Sequence, residues 1–275
     1  MHTELSPSSL SSAAASSTAA LEVRGISLAF HERRRSLPVL NDISLTVPAG
    51  KFVSIIGPSG CGKSTLFHVI GGLLRPDAGS VLMDGREVTG QRGLISYVPQ
   101  KPALFPWRNT LDNVLLAREI AGGADEAARE EARRWLTRAG LGGFEKSYPH
   151  MLSGGMQQRA SFLRGLLAPQ EVICLDEPFS ALDELTRADM QRWLLDIWED
   201  SRRSVILITH SVDEALILSD TVYLLSGRPA SLLHRVDVPF ARPRREGLAE
   251  DGEFLALKRE IAEIMREEQR KKPIR

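Results

Sequence analysis

The chain has 275 residues, 43% of them apolar, enough to bury one large core or two small ones. Its 35 Lys and Arg balance its 35 Asp and Glu, so nothing in the charge draws it toward nucleic acid or acidic lipid. The two cysteines, Cys61 and Cys174, make no disulfide framework and fit a reducing compartment, and no run reaches the roughly 18–20 apolar residues of a membrane-spanning helix.

Residues 1–20 are mostly Ser and Ala without the basic start and Leu-rich centre of a secretory signal, and read as a disordered leader. Alternation over Leu21–Phe30 predicts a strand, the Arg-rich His31–Pro38 a turn or hairpin tip, and Val39–Val47 a second strand stopped by Pro48-Ala49-Gly50. The β-branched run Lys51–Ile56 is of the kind buried in a parallel sheet. A helix is predicted over Ser64–Leu74, with Leu66, Val69, Ile70 and Leu73 on one face and Arg75-Pro76-Asp77 as its stop. Ser80–Met83 and Ile95–Val98 read as short strands. From Gln100 to about Leu167 the pattern is mostly helical, with amphipathic stretches at Leu111–Ile120 and Asp125–Ala139, the latter closed by Gly140. Strands return at Val172–Leu175, Val205–Thr209 and Thr221–Leu225, separated by helices over Leu185–Asp200 and Val212–Ser219.

Past Asp237 a Pro/Arg break leads into a charged helix whose Phe254, Leu257, Ile261 and Ile264 repeat at helical spacing, a face expected to dock on its own domain or on a partner. The whole predicts an α/β fold: a mostly parallel sheet covered by helices, an antiparallel β portion at the N-terminus, and a helical insertion in the middle.

Gly57-Pro58-Ser59-Gly60-Cys61-Gly62-Lys63-Ser64-Thr65 satisfies G-x-x-x-x-G-K-[ST] between a buried strand and a helix, the context a phosphate-binding loop needs. The glycines let successive N–H groups turn inward on phosphate oxygens, and the helix adds its unpaired donors. Lys63 is placed to reach the β- and γ-phosphates and Ser64 to coordinate Mg²⁺. A role for Cys61 beyond its backbone N–H is not expected.

Asp176 and Glu177 end an apolar strand, where ligands bind in open α/β sheets. Adjacent strand residues point in different directions, so the two acids can divide the work: Asp176 toward Mg²⁺, Glu177 polarising an attacking water. His210 follows a buried strand whose end should face the phosphates as well. A second anion-friendly helix start, Leu152-Ser153-Gly154-Gly155-Met156-Gln157-Gln158-Arg159, is one more than a single nucleotide needs.

LSGGMQQR resembles the signature of the ATP-binding cassette (ABC) ATPases. The other motifs of that family follow in order: the phosphate loop, Gln100, the signature, Asp176-Glu177, Ser180-Ala181-Leu182-Asp183 and Thr209-His210, across about Leu21 to Arg235. The resemblance implies a head-to-tail dimer of cassettes with ATP held between the loop of one copy and Ser153, Gly154 and Gly155 of the other. It also implies that Gln100 contacts Mg²⁺ and water and senses a membrane partner, that His210 holds the γ-phosphate and Glu177 in register, and that Asp183 links the two sites. Phe30 matches the position of an adenine-stacking ring, although the Arg-rich stretch after it departs from the usual short Gly turn.

Phe105-Pro106-Trp107-Arg108-Asn109-Thr110-Leu111-Asp112-Asn113-Val114 and Pro239–Arg244 resemble segments of importer ATPases for nitrate, aliphatic sulfonates, taurine and thiamine precursors. This implies transmembrane permease subunits as partners, gripped through exposed Pro102, Leu104, Phe105 and Trp107, with a solute-binding protein engaged indirectly. It places the chain peripherally on the cytoplasmic face of the membrane. The expected organisation is a leader over 1–20, a cassette over 21–238 with a helical subdomain at about 101–168, and a C-terminal extension over 239–275. Two other readings are a soluble, non-transport ABC ATPase and a P-loop small-molecule kinase. The first usually carries a coiled-coil insertion or two fused cassettes; the second has no use for the signature.

Overall fold

A computed structural model describes residues 19–32, 35–180, 182–244 and 247–271. The expected leader therefore lies outside the described residues up to residue 18, and Ala19 and Ala20 already belong to the first strand.

Two sheets form the frame. The antiparallel one has the order β2-β1-β4-β5, built from β1 (Ala19–Glu32), β2 (Arg35–Pro48), β4 (Ala78–Met83) and β5 (Arg86–Glu87). The other has the order β10-β9-β3-β8-β7-β6: β3 (Phe52–Ile56), β6 (Ile95–Val98), β7 (Val172–Asp176), β8 (Ser204–Thr209) and β9 (Thr221–Leu225) run parallel, and β10 (Leu232–Asp237) is an antiparallel edge. The predicted α/β architecture and its antiparallel portion are both present.

Parallel strands buried on both faces divide their side chains between two cores. Ile173 and Leu175 of β7, with Val205 and Leu207 of β8, face a core completed by helices α2 (Thr110–Ile120), α3 (Glu126–Arg138), α4 (Gly154–Leu166) and α5 (Glu184–Ser201). Val172, Cys174, Ile206 and Ile208 face a second core shared with the antiparallel sheet and α1 (Lys63–Ile70). A smaller third cluster joins α6 (Val212–Leu218) to α7 (Gly252–Lys271), with Phe254 and Ile261 fully buried and Leu257 and Ile264 packed beside them. The charged C-terminal helix thus docks on its own domain.

Four local expectations are corrected. Strand pairing runs on past Phe30 to His31↔Ser36 and Glu32↔Arg35, so the predicted turn over His31–Pro38 is mostly strand. Phe30 is accordingly not the last strand residue. Helix α1 ends at Ile70, where Gly71 and Gly72 follow, so Leu73 falls outside the helix and is exposed while Phe67 takes a place in the core. The edge strand β10 was not foreseen, its Leu-Leu-His-Arg-Val-Asp sequence alternating only weakly. Gly140 does close α3: it sits at φ +69° and donates to Thr137 O while Leu141 N–H donates to Leu136 O, the paired bonds of a Schellman ending.

Register decides where chemistry can occur. Ile56 pairs with Thr209, Asp176 with Ile208, and Val98 with Leu175, so four parallel strands finish together at one rim. The segments that leave this rim are the Gly57–Thr65 loop, Gln100, Glu177 and His210.

Candidate functional site

The loop after β3 wraps around its own lysine. Lys63 is buried, and its ammonium donates to Gly57 O at 2.8 Å and Pro58 O at 3.1 Å. Gly62 lies at φ +124°, and a Cβ there would come within 2.8 Å of Val39 Cγ1, so the turn into α1 admits only glycine. With no side chain at Gly62 to cap α1 and no acid in its first turn, the helix's leading N–H groups are left for an anion. Arg228, between β9 and β10, donates to Gly60 O at 2.9 Å and braces the loop tip. Cys61 packs into the second core, and burial pushes its thiol pKa up.

Asp176, buried at the end of β7, presents its two oxygens to different partners. Ser64 Oγ stands 3.5 Å from Oδ1, and the Tyr97 hydroxyl donates to Oδ2 at 2.8 Å. A hydroxyl beside a carboxylate is a hard-oxygen donor set that suits Mg²⁺, which keeps several waters and shares phosphate oxygens. No group of three or more His, Cys, Asp or Glu that could hold a metal ion occurs among the described residues.

Glu177 leaves the rim with φ +44°, its N–H donating to Ile208 O at 2.9 Å. That kink turns its carboxylate toward His210, whose Nδ1 lies 3.5 Å from Glu177 Oε2. His210 is mostly exposed. Behind it, Thr209 Oγ1 is hydrogen-bonded to Glu214 Oε2, and Ser211 N–H donates to Thr209 Oγ1 at 3.0 Å. Burial pushes the Glu214 carboxyl pKa up, against the lowering effect of the Thr209 bond. Arg187 lies 3.8 Å from Glu214 Oε1 and donates to Leu182 O at 2.9 Å, so the strand end carrying His210 is tied to the segment before Asp183. Sequence reading missed Tyr97, Glu214, Arg187 and Arg228, none of which belongs to a motif.

Gln100 makes its hydrogen bond elsewhere than to the Ser64–Asp176 pair. Its amide donates to Ser180 Oγ at 2.9 Å, and Ser180 Oγ donates to Glu177 O at the same distance. Ala181 lies outside the described residues. Asp183 is exposed and caps α5, accepting from Thr186 N–H at 3.0 Å, and its bonds to Thr186 hold its carboxyl pKa below the ordinary value. Ser153 caps α4 in the same way, accepting from Met156 N–H at 3.3 Å, with Ser153 and Gly154 exposed. Among the described residues no hydrogen bond or ion pair joins the Ser153–Gly155 turn to the phosphate loop. Phe30 is 44% exposed, across the hairpin from an equally open Leu37.

Two further surfaces frame the rim. Phe105 and Trp107 stack with ring centroids 5.0 Å apart, and Trp107 is 70% exposed, whereas Pro102 and Leu104 are half-buried, Leu104 against the first core. Fully buried Asn113 holds this loop through bonds to the backbone of Phe105, Arg108 and Asn109. At the other end, Arg244 donates to the carbonyls of Leu216, Ile217, Ser219 and, more distantly, Phe240, gripping the C-terminus of α6. Burial, and then its neighbour Arg242, push the Arg244 pKa down to about 10. Arg242 donates to Asp220 Oδ1 at 2.8 Å and lies over the Trp198 ring at 4.3 Å.

Comparison with known proteins agrees with this geometry. Residues 40–180 match a family model described as ABC transporter. An uncharacterised ABC transporter ATP-binding protein of Methanocaldococcus jannaschii is 40% identical over 248 residues, covering 90% of this chain and 92% of that protein. The taurine import ATP-binding protein TauB of Pseudomonas aeruginosa is 42% identical over 222 residues, covering 81% and 84%. Among solved structures, a dimeric bacterial ABC transporter cassette superposes with a TM-score of 0.70 at 28% identity, covering 80% of this chain and all of that one. A dimeric ATP-binding cassette in a post-hydrolysis state, bound to ADP and Pi, gives 0.69 at 27%.

Proposed function

Since the chain belongs to the ABC transporter family and hydrolyses ATP, we propose that it is the ATP-binding subunit of an importer, acting as a symmetric pair of cassettes beneath a separate permease. One observation carries this reading: the rim is incomplete. It gathers Lys63, Ser64, Asp176, Glu177 and His210, while the Ser153–Gly155 turn, a second anion-ready helix start exposed at Ser153 and Gly154, has no hydrogen bond or ion pair to it among the described residues. Two copies placed head to tail would give each rim the partner's turn, a closed two-fold arrangement. That two structural relatives are dimeric cassettes supports the pairing of two copies.

In this proposal Lys63 leaves the carbonyls of Gly57 and Pro58 for the β- and γ-phosphates, and the first-turn N–H groups of α1 take the remaining oxygens. Ser64 and Asp176 would hold Mg²⁺, directly or through water, with Gln100 joining them; the ion neutralises charge on the phosphates. Glu177 polarises the attacking water, and His210 keeps it in register with the γ-phosphate. Ser153, Gly154 and Gly155 receive that phosphate from across the interface, Asp183 meets its counterpart's site, and Phe30 offers its open ring to adenine. Catalysis is then positioning and charge neutralisation rather than covalent chemistry.

The stacked Phe105–Trp107 pair is the proposed handle for a permease helix, as exposed aromatics serve in partner interfaces. No helix among the described residues is long and apolar enough to cross a membrane. A peripheral place on the cytoplasmic face therefore depends on that permease. Similarity to the taurine importer subunit supports a solute of the taurine type, and the resemblance of Phe105–Val114 and Pro239–Arg244 adds aliphatic sulfonates, nitrate and thiamine precursors. Purified chain should release phosphate from ATP without any acceptor. Its co-purified permease complex should be stimulated by one of these solutes and its binding protein. Phosphate transfer that requires a small-molecule acceptor would refute the reading.

A further inference from the structure

Strand β6 lies beside β7 with Tyr97 directly opposite Cys174. Opposed residues of parallel strands share a face, and so does the residue two further along, so Tyr97 and Asp176 point to the same side. The offset is two residues of strand, about 6.6 Å, a gap that only a side chain as long as tyrosine can bridge with a hydroxyl at its tip. The hydroxyl meets Asp176 Oδ2 at 2.8 Å, leaving Oδ1 turned toward Ser64. The ring is fixed from the other side by an edge contact with Phe67 of α1, centroids 6.3 Å apart and planes at 82°. Tyr97 therefore spans the two segments that supply the metal donors, α1 with Ser64 and β7 with Asp176.

The Tyr97 hydroxyl acts on Asp176 through their hydrogen bond. It removes one of the carboxylate's rotational choices and leaves the other oxygen free.

We propose that Tyr97 is a positioning residue for the metal, orienting Asp176 so that Oδ1 and Ser64 Oγ present a single fixed pair of oxygens. The proposal rests on the reading of Asp176 and Ser64 as the Mg²⁺ donors, and deepens it. Partners that orient metal ligands typically contribute 10–100-fold in affinity, and for one neutral hydrogen bond the lower end, about tenfold, is expected.

The test is Tyr97→Phe, which keeps the ring and its contact with Phe67 and deletes only the hydroxyl. Mn²⁺ is titrated by electron paramagnetic resonance into full-length protein held in excess over a non-hydrolysable ATP analogue. Tyr97→Phe should weaken Mn²⁺ binding about tenfold, while analogue binding in EDTA stays at its wild-type value and the melting temperature falls by only about 2–4 °C, the loss of one hydrogen bond. Mn²⁺ affinity within about twofold of wild type would overturn the proposal. Asp176→Asn separates the two levels. If it abolishes tight Mn²⁺ binding while Tyr97→Phe does not weaken it, the tyrosine's role fails and the metal site stands. If Asp176→Asn binds Mn²⁺ normally, the metal reading fails and takes the tyrosine's role with it.

Discussion

Replacing Asn113 with Ala should loosen the loop proposed to meet the permease without touching the nucleotide rim. Asn113 lies in the first turn of α2, fully buried; Oδ1 accepts from Phe105 N–H at 2.7 Å, and Nδ2 donates to the carbonyls of Phe105, Arg108 and Asn109 at 3.0–3.1 Å. Two protons shared among three carbonyls, plus one accepted bond, amount to about three full hydrogen bonds, or roughly 3 kcal/mol at about 1 kcal/mol each. For a domain of this size such a loss lowers Tm by roughly 6–12 °C. Asn113→Asp should be worse than Asn113→Ala, because it sets a carboxylate against three carbonyl oxygens. Thermal melts of the purified chain read the stability. Acceptor-free ATPase of the same chain should be near wild type, and only permease-stimulated turnover should fall, because Phe105 and Trp107 lose their fixed presentation. A Tm drop below about 2 °C, or an Asp variant more stable than the Ala variant, would refute this account of the loop.

Two further substitutions probe the rim and its support. His210→Ala should cut kcat about 100-fold or more with little change in ATP affinity, since its contact with Glu177 matters for the attacking water; an unchanged kcat in steady-state phosphate release would remove it from the site. Arg244→Met keeps the bulk but strands the carbonyls at the end of α6, so unfolding stability in urea should fall by about 2–4 kcal/mol, the cost reduced because a buried charge is also removed. No change in the urea midpoint would mean that the Arg244 grip contributes nothing to stability.

The make-up of the rim was legible in the sequence wherever it depends on residues near each other in the chain. The phosphate loop stood out because Lys51–Ile56 reads as a buried strand and Leu66, Val69 and Ile70 as a helix face, and strand–loop–helix is the arrangement observed. Asp176, Glu177 and His210 were legible for the same reason, each ending or following an apolar run. What escaped depends on which strands become neighbours. Tyr97 gains its partner only because β6 lies next to β7 in a register that sets it opposite Cys174, and nothing in Ile-Ser-Tyr-Val announces that pairing. Arg228 sits in a polar, Pro-containing stretch that looks like a solvent-exposed loop until the fold brings Gly60 O to it, and the Pro239–Arg244 motif, though visible, gives no sign that Arg244 grips the carbonyls of α6. Glu214 looks like one more acid on a surface helix, yet it is buried because α6 turns back against β8. Leu73 erred the other way: the apolar spacing continued past two glycines that end the helix.

The central claim is that each rim is completed by the Ser153–Gly155 turn of a second copy. It is tested by measuring the mass in solution of the Glu177→Gln chain, which binds nucleotide but should not turn it over, with and without saturating Mg-ATP. A monomer is expected without nucleotide, a dimer with it, and a return to monomer when Ser153→Arg is added to block the partner's phosphate. A chain that remains monomeric at saturating Mg-ATP, both alone and with its permease, or a dimer indifferent to Ser153→Arg, would contradict it.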